Sequence, residues 1–330
     1  MPSLTKTVVF KRLEGIFETD VLSDRMVTII GLGTGGSLAA VELAKCAVGK
    51  FRLIDFDRLE AHNVVRHACG VRDLGRLKTE AVKDVILNFN PFAIVECHDV
   101  DVLDRSANLL ELVIGSDMVL ACTDSERSKY AINRCLMSLW FQRQIAIPAV
   151  YAGAYERAFG GDIMRVMPGE SPCYDCVIGS LQQLPFMETM PKSAVPYSGL
   201  ENSEGFRAAP GLGLDVHFIA LIQAKLALMT LLRGTNTVLS DIPYNFLFWG
   251  NRKEWIFPEP FKCIFARTEN RADCSTCGDG ARTAFGVDRT NLLSQSEEIV
   301  REAALARDVG PGPTTIVEVE LPPELRDYKL

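Results

Sequence analysis

The sequence predicts an α/β protein built on a doubly wound, mostly parallel sheet, and three observations support this class. Short, near-continuously apolar segments alternate with helical segments over residues 26–150, which is typical of a parallel sheet covered on both faces. A glycine-rich loop follows the first apolar segment. The 330 residues, 48% of them hydrophobic, are enough for one large domain or two smaller ones.

Five strands and three helices are predicted over this first region. The strands are Met26–Ile30, Phe51–Asp55, Ala93–His98, Asp117–Ala121 and Ile145–Val150. The helices cover residues 37–49, 77–90 and 125–142, where apolar side chains recur at helical spacing. Residues 155–173 then predict an antiparallel hairpin strand that leads into a pair of cysteines.

The rest of the chain is predicted to complete the same domain. Residues 182–213 indicate a long loop, residues 214–234 a helix that is apolar nearly all round and ends at Gly234, and residues 244–250 and 254–259 a pair of strands. We divide the chain into an N-terminal arm (1–25), a nucleotide-binding α/β domain (26–178), a crossover loop with helix, strands and cysteine knuckle of the same domain (179–280), and a C-terminal extension (281–330).

Composition narrows the classes of function. The net charge of −7 and the pI near 5.3 argue against a general binder of nucleic acid or membrane surfaces. The N-terminal residues lack the apolar core of a signal peptide, and no apolar run approaches the roughly 18 residues that span a bilayer. We therefore expect a cytoplasmic protein, in which the six scattered cysteines are small buried side chains.

The glycine loop, "IIGLGTGGSLAA" at residues 29–40, predicts a nucleotide site. Gly31, Gly33 and Gly36 fit G-x-G-x-x-G, with Gly35 beside them, between a predicted strand and a predicted helix. Glycines let the backbone approach a phosphate, and the helix N-terminus offers unpaired N–H groups. Asp55 ends the next strand, where an acid binds ribose. The loop alone fits either a dinucleotide for redox chemistry or ATP for activation chemistry.

Charged and polar residues after Asp55 favour ATP. They are Asp57, Asn63, Arg66 and Lys78, and a further acid, Asp124, follows the fourth strand after Thr123. Cations and acids around one phosphate site are what a triphosphate with magnesium requires. Each residue alone also has an ordinary explanation, because Arg66 and Lys78 could be surface charges and Asp124 a helix cap. The ordered set favours the ATP site.

Four of the ten cysteines form two C-x-x-C pairs, Cys173/Cys176 and Cys274/Cys277, about 100 residues apart. This spacing predicts a structural zinc held by four thiolates, and a pair of redox dithiols is the alternative. With no vacant ligand position, the zinc would staple the end of the domain onto the nucleotide-binding part.

These motifs together resemble the ThiF/MoeB/HesA superfamily, whose members adenylate ubiquitin-like and sulfur-carrier proteins. The resemblance covers roughly residues 20–280 and implies a Rossmann-like fold. It implies that Asp55 binds ribose, that Arg66 and Lys78 bind the phosphates with Asn63 lining the site, and that Asp124 coordinates magnesium. It also implies a homodimer in which Arg12, or failing that Lys11, reaches the partner's phosphates. His67 departs from the family, which usually has glutamine there.

The function expected from the resemblance is ATP-dependent adenylation of the C-terminal carboxylate of a small carrier protein that ends in glycine. A conjugating enzyme or a sulfur donor would be a further partner. A nicotinamide-dependent oxidoreductase and a non-catalytic scaffold are the alternatives. The segment between Cys176 and Cys263 contains no cysteine, so we expect a separate acceptor to attack the adenylate directly. Cys263, or a hydroxyl of Ser193, Ser198 or Ser203, is the alternative acceptor.

Overall fold

A computed structural model of the protein describes residues 5–104, 107–191, 200–202, 205–207 and 210–284. The three loop serines named above and nearly all of the predicted C-terminal extension lie outside these residues. Within them, one eight-stranded sheet contains strands from both predicted parts of the domain.

Ten strands are described. They are β1 (Met26–Ile30), β2 (Lys50–Ile54), β3 (Ile94–His98), β4 (Met118–Ala121), β5 (Ala149–Ala154), β6 (Gly160–Val166), β7 (Leu200–Asn202), β8 (Gly205–Arg207), β9 (Phe246–Gly250) and β10 (Lys262–Ala266). The order in the main sheet is β3-β2-β1-β4-β5-β6-β9-β10, and the first five are parallel while the last three are antiparallel. The predicted fold class is confirmed, and its strand order reverses between β1 and β4, where such sheets bind ligands.

Helices cover both faces of the sheet. They are α1 (Lys6–Val9), α2 (Asp20–Ser23), α3 (Thr34–Lys45), α4 (Lys78–Phe89), α5 (Leu109–Val113), α6 (Glu126–Arg143), α7 (Tyr174–Leu181), α8 (Gly213–Leu231) and α9 (Asp279–Ala284). Side chains of α3, α4 and α8 share one core with one face of the sheet, while α5, α6 and α7 form a second core on the other face. This two-sided burial explains why the parallel strands are apolar along their whole length.

Helix α8 is long and apolar enough to cross a membrane by length and composition, so the expectation that no run approaches that length was wrong. However, α8 contacts α3 and the strands β4, β5 and β6, and more than half of its most apolar stretch is buried in the fold. Its apolar character therefore follows from its place in the core.

Three predicted elements differ from the structure. Strand β5 begins at Ala149 rather than Ile145, because Pro148 has no N–H to donate to a ladder. Strand β9 pairs with β10 and β6 and not with residues 254–259, which form a tight turn with Trp255 at φ +57°. The predicted loop at 182–213 contains the short hairpin β7–β8.

Candidate nucleotide site and cysteine centre

The glycine loop lies at the carboxyl edge of the sheet, between β1 and β4. Gly31 has φ +90°, and a Cβ on it would lie 2.9 Å from the backbone of Cys122 and Thr123. A Cβ on Gly36 would lie 1.9 Å from the Gly31 carbonyl oxygen. These two glycines are therefore required by close backbone packing. A Cβ on Gly33 would meet nothing within 4 Å, so that part of the loop is open to a ligand.

Asp55 supports the loop directly. One carboxylate oxygen accepts a hydrogen bond from the Leu32 N–H (2.6 Å) and the other accepts from the Asp57 N–H (2.8 Å). Asp55 is only 8% exposed, and its burial raises the pKa of the carboxyl, while the nearby Lys78 ammonium opposes that rise. Each carboxylate oxygen retains a second lone-pair direction, so the position remains compatible with a ribose hydroxyl.

Lys78 and Asp57 form an ion pair at this edge. The Lys78 Nζ lies 2.6 Å from an Asp57 carboxylate oxygen, and the Lys78 N–H donates to the Asp57 carbonyl (3.0 Å). The Lys78 side chain is 9% exposed and the Asp57 side chain 49%. Lys78 is also the first residue of α4, so the start of this helix positions the buried ammonium at the carboxyl edge of the sheet.

His67 supports the glycine loop by a hydrogen bond to its backbone, a role that was not predicted from the sequence. Its Nδ1 accepts from the Cys69 N–H (3.0 Å), so Nε2 carries the proton and donates to the Leu32 carbonyl (2.7 Å). His67 is buried, and this burial lowers the pKa of the imidazole to about 4. The neutral imidazole therefore connects the Leu32 carbonyl to the Cys69 N–H, and the side-chain amide of a glutamine could make the same two hydrogen bonds.

Asn63 and Arg66 lie on the segment that runs over this edge. The Asn63 side-chain oxygen accepts from the Glu60 N–H (3.0 Å), a local cap, and the Arg66 carbonyl accepts from Nε2 of His217 (3.0 Å). A Cβ on Gly213, the first residue of α8, would lie 3.1 Å from the Arg66 Cβ. The start of α8 thus packs directly on Arg66.

Thr123 and Asp124 connect β4 to α6. A Cβ on Gly31 would lie 2.9 Å from the backbone nitrogen of Thr123, so Thr123 is next to the glycine loop, and Asp124 is exposed at the same edge. Ser125 caps α6 by accepting from the Ser128 N–H (3.4 Å). The Asp124 carboxylate and the Thr123 hydroxyl are hard oxygen donors, which are the kind of ligand that Mg²⁺ prefers.

Arg12 is not brought to the site of its own chain. It is exposed in a short 3-10 helix, Lys11–Leu13. Phe10, two residues earlier, lines a small cavity with Gly49 and Asn90, which precede β2 and β3. This is the amino edge of the sheet, opposite the glycine loop, so a role for Arg12 requires a second subunit.

Gln223 is a second buried residue that sequence reasoning missed. It is 1% exposed, and its Nε2 donates to the Val150 carbonyl (2.8 Å) while its Oε1 accepts from the Cys122 thiol (3.3 Å). Gln223 therefore connects α8 to β5 and to Cys122, whose backbone lies next to Gly31. The one available indication was a glutamine amid the apolar residues of this helix.

The four paired cysteines meet in one buried cluster. Their Sγ atoms all lie within 4.8 Å of one another, with Cys173 to Cys274 at 3.6 Å and Cys176 to Cys277 at 3.2 Å. The Arg271 N–H donates to the Cys176 sulfur (3.3 Å) and the Thr276 N–H to the Cys274 sulfur (3.4 Å). Four sulfurs at these separations, with N–H donors aimed at them, fit a tetrahedral zinc.

The other six cysteines are free thiols, of which Cys69 is buried and the other five are partly buried, so the expectation of six buried side chains was wrong for those five. Burial raises the pKa of each one. Cys263, the proposed alternative acceptor, has its pKa raised to about 11. It lies on the edge strand β10, five strands from β1, which is about 24 Å at the usual strand spacing. This placement does not favour a thioester on Cys263.

A doubly wound sheet with a glycine loop, an acid after β2 and a buried lysine at its carboxyl edge defines a nucleotide-binding α/β protein. The profile of the ThiF family matches residues 8–258. The chain belongs to the ThiF family.

The chain is similar to ubiquitin-like modifier-activating enzyme 5 of Dictyostelium discoideum, with 30% identity over 186 residues, which are 52% of this chain and 46% of that protein. The corresponding enzyme of Gallus gallus is 29% identical over 194 residues, 53% and 47% of the two chains. The chain thus matches about half the length of these curated relatives.

Solved structures share the fold at lower identity. MccB of E. coli, crystallised with ATP, superposes with a TM-score of 0.57 at 19% identity, covering 83% of this chain and 70% of that chain. PaaA superposes with a TM-score of 0.53 at 20% identity, covering 80% and 68%.

Proposed function

We propose that this protein uses ATP to adenylate the C-terminal carboxylate of a small ubiquitin-like or sulfur-carrier protein and releases pyrophosphate. The observation that carries the proposal is that the glycine loop after β1, the exposed Asp124 after β4 and the buried Lys78, paired with Asp57 after β2, all lie at the carboxyl edge of the sheet. Membership of the ThiF family supports adenylation over the nicotinamide-dependent alternative. The names of the sequence relatives support a ubiquitin-like substrate.

In the proposed reaction, a carboxylate oxygen of the carrier forms a bond to the α-phosphorus of ATP. The bond from that phosphorus to the bridging oxygen breaks, and pyrophosphate leaves with the electron pair. The nucleophile is already ionised, so no general base is required. The protein acts by positioning and by neutralising charge.

Each site residue has a proposed part in that reaction. Gly31, Gly33, Gly35 and Gly36 admit the phosphates, Asp55 and Asp57 face the ribose and phosphates, Asn63 and Thr123 line the site, and Arg66 and Lys78 neutralise phosphate charge. Asp124 would hold Mg²⁺, which screens the triphosphate. The four-cysteine centre would hold zinc in a structural role.

We further propose that the protein is a cytoplasmic homodimer, in which Arg12 of each subunit completes the partner's site. An apolar face on α8 supports this: Leu214 is 65% exposed, Phe218 38% and Leu221 42%. These positions lie on one side of the helix. Such a face is suited to a partner surface, and a second copy is the partner that Arg12 requires.

The test is ATP–pyrophosphate exchange with a ubiquitin-like protein from the same genome that ends in glycine, compared with the same protein amidated at its C-terminus. We expect exchange only with the free carboxylate. Lys78→Ala should reduce it at least about 100-fold, the equivalent of ~3 kcal/mol. Lys83→Ala is the matched control, because Lys83 is on the same helix and pairs only with Glu80 (3.5 Å) among the described contacts.

Two results would contradict the proposal. Reduction of NAD without exchange would favour the oxidoreductase, and carrier binding without exchange would favour the scaffold. Exchange with a short peptide but not with the carrier would keep the adenylation chemistry and change the substrate to a peptide.

A further inference from the structure

The cysteine centre and the Asp124 turn are joined by a chain of contacts through α6 and α7. Cys173 is the N-cap of α7, and Tyr174 is its first residue. The hydroxyl of Tyr174 donates to a carboxylate oxygen of Glu126 at 2.7 Å. Glu126 is the first residue of α6, two residues after Asp124. The bond therefore links a residue next to a cysteine ligand with the turn that carries the proposed magnesium ligand.

Both ends of this link are held firmly. On the cysteine side, one oxygen of Asp175 accepts from the hydroxyls of Ser275 (2.6 Å) and Thr276 (2.8 Å), which ties α7 to the second C-x-x-C pair. The Tyr174 N–H also donates to the Asn133 side chain on α6 (3.0 Å). Tyr174 itself is 3% exposed. An ordered cysteine centre thus fixes the position of the Tyr174 ring.

On the nucleotide side, Glu126 receives a second donor. Its other carboxylate oxygen lies 2.9 Å from the ammonium of Lys129, whose side chain is 7% exposed. That ammonium also lies 3.2 Å from where a Cβ on Gly153 of β5 would be. The Tyr174 hydroxyl from α7 and the Lys129 ammonium from within α6 therefore both bind Glu126 at the start of α6, two residues after Asp124.

We propose that Tyr174 is a positioning residue that couples the four-cysteine centre to Asp124, so that the order of the centre sets the affinity of the nucleotide site for Mg²⁺. This inference rests on the proposed function, because it takes Asp124 as the residue that holds the metal. It gives the cysteine centre a part in nucleotide binding in addition to its structural role.

The structure offers a matched pair of variants. Tyr174→Phe removes the hydroxyl that bonds Glu126 and keeps the ring. Tyr151→Phe removes a buried hydroxyl that has no hydrogen-bond partner among the described residues, and its ring centroid lies 4.6 Å from that of Tyr174. The two variants make the same chemical change in one ring cluster, and only one of them breaks the link.

The experiment titrates Mg²⁺ against the full chain with a fluorescent ATP analogue and records the concentration at half-maximal binding. We expect Tyr174→Phe to raise that concentration about fivefold, with Tyr151→Phe unchanged and zinc content equal in both. In a Glu126→Ala background, Tyr174→Phe should have no further effect. The Mg²⁺ concentration for half-maximal exchange should shift in parallel, with little change in the rate at saturating Mg²⁺.

The outcomes separate the two proposals. If the unmodified chain shows Mg²⁺-dependent nucleotide binding and exchange but Tyr174→Phe behaves like Tyr151→Phe, the coupling is wrong and the proposed function stands. If the effects of Tyr174→Phe and Glu126→Ala add, the coupling is also wrong. If the unmodified chain neither binds the analogue with Mg²⁺ nor exchanges pyrophosphate, both proposals fall. Should Tyr174→Phe not fold, an unchanged Mg²⁺ requirement in Glu126→Ala overturns the coupling.

Discussion

His67 predicts a specific acid sensitivity that a single substitution should remove. Burial places its folded-state pKa at about 4, against 6.5 for the ordinary imidazole. Because the folded pKa lies below the unfolded value, the contribution to stability is complete above about pH 6.5 and is lost as the pH falls towards 4. At pH 5 the two values give a loss of ~2 kcal/mol relative to pH 7.5. The physical event is protonation of Nδ1, which breaks the bond from the Cys69 N–H.

The variant to compare is His67→Gln, whose amide can accept from the Cys69 N–H and donate to the Leu32 carbonyl without titrating. The comparison must be between variants, because burial raises the pKa of Asp162 to about 6 and so gives that group the opposite pH dependence. We expect the unmodified protein to lose ~2 kcal/mol more than His67→Gln between pH 7.5 and pH 5, a difference of roughly 4–8 °C in Tm.

Urea unfolding and thermal unfolding at the two pH values provide the assay. His62→Gln is the control, because it makes the same chemical change on the same segment while leaving the His67 bonds to Leu32 and Cys69 in place. It should leave the acid sensitivity of the protein unchanged. ATP binding by His67→Gln at pH 7.5 should stay within about twofold of the unmodified protein. Equal losses of stability in His67→Gln and the unmodified protein would refute the role assigned to the buried imidazole.

Three further predictions concern the loop, the cysteine centre and the dimer. Gly36→Ala should lower Tm strongly, because its Cβ would lie 1.9 Å from a backbone oxygen of the loop, whereas Gly33→Ala should leave Tm unchanged. Cys176→Ser should bring the zinc content per chain from one to near zero and lower Tm more than it weakens ATP binding, as measured by metal analysis and calorimetry. Mixing Arg12→Ala chains with Lys78→Ala chains should restore part of the exchange activity, and no recovery at all would exclude the cross-subunit role.

The fold was predictable where local patterns determine it. The predicted bounds of β1, β2, β3 and β4 agree with the structure to within one residue at each end. This is because a short apolar run between two helical segments is typical of a buried parallel strand. The pairing of β9 was predicted wrongly, because residues 255–258 are also apolar and lie nearer to β9 in sequence than β10 does. Only packing distinguishes residues 255–258 from the true partner strand. The Phe257 ring packs against Gly250, where the missing side chain leaves room for it.

The residues proposed to touch the nucleotide could be selected from the sequence, but those that support them could not. Asp124 stands out because it follows a predicted strand, and Lys78 because it belongs to the ordered set of charged and polar residues after Asp55. His67 acts on a carbonyl 35 residues away, and Gln223 on a thiol 101 residues away. No local pattern marks such pairs, since their chemistry depends on the final packing of α8 and of the segment after β2.

The ion pair of Lys78 and Asp57 shows how the proposed site can be ready for a triphosphate when none is bound. A buried ammonium without a partner would be costly, and Asp57 supplies that partner at 2.6 Å. Because the Asp57 side chain is 49% exposed and the Lys78 side chain 9%, the aspartate can return to water at little cost while the lysine cannot. Under the proposed function, phosphate oxygens replace Asp57 as the partner of Lys78. The exchange leaves the buried charge paired throughout, and it frees a carboxylate at the same edge as Asp124.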